Sequence, residues 1–99
     1  MDRESKSGWV YVMADRYRGT IYVGVTADLA ARISQHRAGK GAEFCTRYGL
    51  RQLVWAERLE RIEDAIALEK RIKRWRREWK FELIEKANPD WNDLFDQMV

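Results

Sequence analysis

Cysteine is nearly absent from this 99-residue chain, with Cys45 standing alone, and His36 is the only histidine. One thiol forms no internal disulfide, and one thiol with one imidazole makes no structural zinc set, so a stapled mini-protein is excluded and a reducing, cytoplasmic setting is expected. Proline occurs once and no Ser/Gly-rich tract is present. With 45% hydrophobic and 12% aromatic residues, the chain is expected to fold even though 35% of it is charged. Long hydrophobic runs are missing as well. The longest, Trp9-Val10-Tyr11-Val12-Met13-Ala14, falls far short of the roughly 20 residues of a membrane span, and the polar start of the chain lacks the apolar centre of an export signal. A soluble, unexported protein is expected, with no membrane partner. Its length points to one domain over residues 1–99, with a core over about 8–86 and a closing segment over 87–99.

The formal net charge is only +3, but its distribution is uneven. Residues 70–80 hold seven Lys/Arg against the lone Glu78, a local balance of +6, and residues 81–99 hold five acids against Lys86, a balance of −4. A concentrated cationic block suits a phosphate-rich partner, because Lys and Arg displace counterions from a nucleic-acid backbone. A solvated helix face laced with ion pairs is the alternative.

Residues 1–7 are polar and expected to fray. Trp9–Met13 and Thr20–Val25 are β-branched and aromatic runs separated by a segment ending in Gly19, which predicts a β-hairpin. Thr26 stands where an N-cap belongs, and Leu29, Ile33 and His36 follow at i, i+4 and i+7 until Gly39-Lys40-Gly41, which predicts a helix over about 27–38. Residues 42–49 read as polar and irregular. A third strand is expected over Leu50–Leu59, centred on Leu53-Val54-Trp55. From Arg61 the pattern turns helical, with Ile62, Ala65, Ile66, Ile72, Trp75 and Trp79 on one arc that persists toward Leu83 and Ile84. Spacing alone marks no break near Trp75–Arg77. Asn88-Pro89 stops the helix, and Trp91, Leu94 and Phe95 are expected to form a short closing turn. The order is β-β-α-β-α-α, an α/β (α+β) fold with a small sheet.

Three features sit oddly in a bland fold. At about 100° per residue, Ile62 falls about 20°, Ala65 about 40°, and Ile66 and Ile72 about 60° from Glu69, so a carboxylate interrupts the apolar stripe. Burying it ionised costs several kcal/mol unless a cation or metal compensates, and Lys73 at i+4 is one such partner. Arg32 and His36 lie one turn apart on the first helix; His36 borders the buried side, and a guanidinium beside it disfavours its protonation and suits a bound anion. Tyr11 and Tyr22 are each bracketed by Val or Ile in the hairpin. Core packing explains any one of these singly.

Their order carries more. Trp9-Val10-Tyr11, then Tyr22-Val23-Gly24, then Arg32 and His36 on the following helix and Glu69 on a later one resembles the GIY-YIG nuclease superfamily. The likeness is to the N-terminal nuclease domain of the bacterial excision repair nuclease, and most to its small standalone relatives, which carry stretches similar to residues 38–42, to Leu68-Glu69-Lys70-Arg71-Ile72-Lys73 and to Trp75. It runs from about Gly8 to Ile84. The triplets here read W-V-Y and Y-V-G.

The resemblance implies a three-stranded antiparallel sheet flanked by helices, and cleavage of phosphodiester bonds with one divalent metal, Mg²⁺ or Mn²⁺. Under it, Tyr11 acts as general base or orients the water, Tyr22 supports it, Arg32 holds the scissile phosphate and Glu69 ligates the metal. His36 stands where the superfamily varies between His and Tyr, as proton acceptor or phosphate contact. Phosphodiester hydrolysis needs an in-line nucleophile, neutralised non-bridging oxygens and a stabilised leaving alkoxide. One carboxylate suffices for Mg²⁺ when waters and phosphate complete its shell. A tyrosine of pKa near 10 is a poor base at neutral pH unless Arg32, His36 or the metal lowers it. Lys40, Lys73, Arg74, Arg76, Arg77 and Lys80 are the expected backbone contacts, to DNA in preference to RNA and with little sequence preference. Two functions follow, a metal-dependent endonuclease with a role in DNA repair or processing, or a non-catalytic nucleic-acid-binding module on the same scaffold.

Overall fold

A computed structural model describes residues 6–98, so most of the expected N-terminal fraying, over residues 1–5, lies outside the described residues. Strands β1 (Gly8–Ala14) and β2 (Ile21–Thr26) form the hairpin, followed by α1 (Leu29–Arg37), α2 (Glu43–Tyr48), β3 (Gln52–Leu59), α3 (Ile62–Arg74), α4 (Arg77–Ala87) and α5 (Phe95–Met98). The sheet is antiparallel with β1 in the middle, in the order β2-β1-β3. In the hairpin turn, Asp15 Oδ1 accepts the Thr20 amide at 2.9 Å, and Arg18 takes a positive φ of 51°.

Strand alternation divides the core in two. Val10, Val12 and Ala14 point to one face and pack with Val23, Ala65, Ile72 and Ile84 beneath α3 and α4. Tyr11 and Met13 point to the other and pack with Leu29, Ile33, Cys45 and Leu50, from α1 and α2. Both faces of β1 are therefore covered, which is why its whole run is apolar. A bulge at Val12/Met13 sets Trp55 opposite Val12 and Leu53 opposite Met13.

Several expectations are corrected. Asp28, not Thr26, caps α1, its carboxylate accepting the Ala31 amide at 3.1 Å. Thr26 Oγ1 instead accepts the Asp28 amide, a local turn that leads into the cap. The segment over 42–49 is not irregular. It forms α2, closed by Gly49 at φ 68°, so the helical order gains this element and the short α5. Trp75 and Arg76 take extended backbone and divide the long helical stretch into α3 and α4. The apolar arc consequently does not continue, and Trp79 is 49% exposed. Ile66, at the margin of the arc, is 38% exposed.

The closing segment is held by side-chain hydrogen bonds. Asn88 Nδ2 donates to the Val54 carbonyl and to the Asn92 carbonyl, both at 2.9 Å, while its Oδ1 accepts the Asn92 amide. Trp91 is buried against Phe81, with ring centres 5.0 Å apart.

Candidate active site

The hairpin register brings the two sequence triplets together. Tyr11 lies opposite Gly24 and Met13 opposite Tyr22, and facing residues of an antiparallel pair share a face, so both tyrosines project from the same side. Gly24 is required there for space. A Cβ on it would stand 2.5 Å from the Tyr11 hydroxyl, so the ring of the first triplet lies across the glycine of the second.

Helix α1 delivers the histidine. Leu29, Ile33 and His36 form its buried side, and His36 Nε2 stands 2.9 Å from the Tyr11 hydroxyl, a hydrogen bond inside the core. The Tyr22 ring completes a triangle, 6.4 Å from Tyr11 and 5.8 Å from His36. His36 Nδ1 is buried with no hydrogen-bond partner. It faces Gly41, where any Cβ would collide with it. Whichever tautomer is present, one polar atom of the ring goes unsatisfied, at a cost of about 1–3 kcal/mol. A histidine retained for packing alone has no reason to carry that cost.

Burial pushes the Tyr11 phenol well above the usual tyrosine range, with Tyr22 adding to the effect and Arg32 opposing it. Burial, then the nearby Arg32 guanidinium, holds His36 below the ordinary imidazole value of 6.5. At neutral pH the pair therefore rests as a phenol and a neutral imidazole. Burial also raises the Cys45 thiol, to about 11, so it is not a ready nucleophile.

Arg32 is half-buried one turn before His36, in a shallow cleft of about 370 Å³ with Thr26, Asp28, Ala31 and Gln35. Its Nη1 reaches Gln35 Oε1 at 3.4 Å, and among the described residues it has no carboxylate partner within ion-pair distance. The planar fork is available to an anion.

Glu69 comes from α3, in the layer on the other side of the sheet. It is 8% exposed, between Ala65 and Ile72 on the buried stripe. Its Oε2 pairs with Lys73 Nζ at 2.6 Å, so the helix ion pair anticipated for this carboxylate is present. Lys73 Nζ in turn sits 5.8 Å from the centre of the Tyr22 ring, which carries the pair to the tyrosine cluster. Among the described residues no three His, Cys, Asp or Glu side chains gather into a metal cage. A single carboxylate donor fits a hard cation that keeps most of its water and takes its other ligands from phosphate; it does not fit zinc or another metal that needs several protein donors.

The six basic residues separate into two groups. Lys73 is paired with Glu69, Lys80 Nζ donates to the Lys73 carbonyl at 3.2 Å, and Arg77 Nη2 donates to the Gly19 carbonyl at 2.6 Å, tying α4 to the hairpin turn. Lys40, Arg74 and Arg76 are exposed, Arg76 with its guanidinium 5.2 Å from the centre of the Trp79 ring. The sequence pattern gives no sign of Gly41, of Gly24 as the seat of the Tyr11 ring, or of two aromatic residues of α2, Phe44 and Tyr48, beside Tyr22. The register places Gly24 only once the hairpin is formed, and no periodicity marks the others.

A hairpin whose paired triplets set two tyrosines beside a helix-borne histidine and arginine, with a carboxylate on the helix after the third strand, is the arrangement of a nuclease superfamily. The chain matches the GIY-YIG catalytic domain over residues 7–82 and belongs to that family. It is similar to a UPF0213 protein of Yersinia enterocolitica, with 34% identity over 92 residues, covering 93% of this chain and 95% of the relative. UPF0213 proteins of Yersinia pestis and Yersinia pseudotuberculosis are 34% identical over 80 residues, covering 81% of this chain and 84% of each relative. No solved structure matches. Membership in a nuclease superfamily supports a phosphodiester hydrolase acting on nucleic acid. Among the described residues no helix is long and apolar enough to cross a membrane.

Proposed function

We propose that this protein is a divalent-metal-dependent endonuclease that hydrolyses nucleic-acid phosphodiester bonds with little sequence preference. The observation that carries this reading is the buried Tyr11–His36 hydrogen bond with Arg32 one turn away, in a domain of a nuclease family. Arg32 engages two non-bridging oxygens of the scissile phosphate. As Tyr11 takes a proton from the attacking water, its own phenolic proton passes to His36 Nε2; the water becomes hydroxide and the imidazole becomes imidazolium. Holding both groups neutral at rest keeps charge out of the core until the phosphate arrives. Tyr22 packs against both rings and fixes their positions. Glu69 would hold Mg²⁺ or Mn²⁺, which when bound supplies Lewis-acid stabilisation to the departing alkoxide. DNA in preference to RNA, a cytoplasmic setting and a role in repair or processing complete the proposal.

A binding module without catalysis is the second reading, and the Glu69–Lys73 ion pair favours it, because that carboxylate already has a cation. A panel of labelled DNA and RNA structures, incubated with Mg²⁺, with Mn²⁺ and with chelator, separates the two. Cleavage is expected with metal only, and Glu69→Gln should abolish it while the fold persists. Cleavage in chelator, or undiminished cleavage by Glu69→Gln, would contradict the metal role; binding without cleavage under every condition would select the second reading.

A further inference from the structure

Helix α2 turns two aromatic side chains to solvent. Phe44 is 43% and Tyr48 50% exposed, at i and i+4 on one helical face with ring centres 4.8 Å apart. The helix is anchored from its opposite side by the buried Cys45 and Leu50, joined by the hydrogen bond from the Leu50 amide to the Cys45 carbonyl at 2.9 Å. Core packing makes little demand on either exposed ring. Phe44 nevertheless lies 6.2 Å from Tyr22, at an interplanar angle of 28°, so the two are stacked. A ladder of rings, Tyr22–Phe44–Tyr48, therefore runs from the Tyr11–His36 pair outward to solvent.

We infer that α2 is a stacking platform for unpaired bases next to the scissile phosphate, and that the substrate is a strand with single-stranded or unstacked nucleotides at the cut, in place of a continuous duplex. The inference rests on the phosphodiesterase reading for where the backbone lies. Each base offers a π face, so stacking on aromatic side chains holds a strand without reading its sequence. A paired base within a duplex has both faces occupied by its neighbours and cannot use such a platform.

Charge agrees with this occupant. Arg47 is 66% exposed beside the two rings and only 3.8 Å from Glu43 at its nearest, and Glu43, Phe44, Arg47 and Tyr48 enclose an open cleft of about 260 Å³. Arg32, near enough to depress the Cys45 thiol, adds a second cation on this side. The other exposed aromatic surface differs. Trp75 and Trp79 line a cleft with Glu82 and Glu85, whose carboxylates repel phosphate.

The test is binding in chelator, which does not need cleavage. A single-stranded oligonucleotide carrying 2-aminopurine, as DNA and as RNA, is compared with the blunt duplex of the same sequence by anisotropy and by fluorescence quenching. Wild-type protein is expected to prefer the single strand and to quench the probe. Phe44→Leu/Tyr48→Leu keeps apolar bulk and helix propensity but removes the π faces, and should weaken single-strand binding by about tenfold while leaving duplex binding unchanged. Phe44→Trp should retain the affinity, with its indole fluorescence quenched on binding, a readout that does not depend on the leucine pair folding. Wild-type affinity and quenching in the leucine pair, an equal loss for strand and duplex, or a tryptophan at 44 whose emission ignores the oligonucleotide would each overturn the platform. Aromatic-dependent binding by a protein that cuts nothing would overturn the nuclease reading and keep the platform; cleavage with normal strand binding by the leucine pair would do the reverse.

Discussion

The two faces of the sheet are built from alternate residues of the same strand and do different work. Beneath α3 and α4, Val10, Val12 and Ala14 meet Val23, Ile72 and Ile84, and every contributor is apolar. Beneath α1 and α2, the intervening Tyr11 meets His36, Tyr22 and, at the edge, Arg32, and one imidazole nitrogen stays unsatisfied. The first face is arranged for burial alone. The second gives up part of that stability to keep polar groups in fixed positions, a trade expected where a site needs preorganisation. Strand periodicity makes such a division simple, because one residue of offset moves a side chain from one function to the other.

This contrast is broken most severely from the aliphatic side. Ile84 is fully buried there, and Ile84→Ala should cost about 2–5 kcal/mol. Chemical denaturation would show the loss, while the folded fraction should cleave at the normal rate. On the other face the balance reverses. Arg32→Lys should leave the melting temperature nearly unchanged and reduce single-turnover cleavage by about ten- to a hundredfold, because an ammonium cannot span two phosphate oxygens. Near-normal turnover would argue against a bidentate contact.

A smaller effect concerns pH. His36 is held below the ordinary value of 6.5 in the fold, so below that pH the unfolded chain takes up a proton that the folded protein resists. The stability contributed by the neutral imidazole is full above about pH 6.5 and is lost as pH falls through that value toward the folded one. Melting curves between pH 5 and 8 should show a steeper acid-side decline for the wild type than for His36→Gln. Parallel declines would mean that the imidazole is not held neutral.

The elements legible in the sequence were those whose period coincides with their burial. The hairpin and the Leu29/Ile33/His36 stripe of α1 are of this kind. Helix α2 was illegible because it is six residues long and shows only Cys45 to the core, so no apolar repeat develops. The division between α3 and α4 uses neither glycine nor proline, and a pattern at 100° per residue continues past it; Trp79 therefore read as core and stands at the surface. Within the site, Tyr11, Tyr22, Arg32, His36 and Glu69 carried a pattern of type and order that needed no coordinates. The hydrogen bond joining Tyr11 to His36 crosses 25 residues and depends on the packing of α1 on the hairpin. Likewise, Arg77 looks like any member of the cationic block until its partner, a carbonyl in the hairpin turn, is seen.

Tyr11→Phe offers the most direct measurement, since it removes one oxygen and retains the ring that lies across Gly24. Single-turnover cleavage of a labelled substrate in Mg²⁺, measured beside circular dichroism of the same sample, should fall by about a hundredfold or more with the fold intact. A Phe variant that cleaves at the wild-type rate would contradict the Tyr11–His36 proton path.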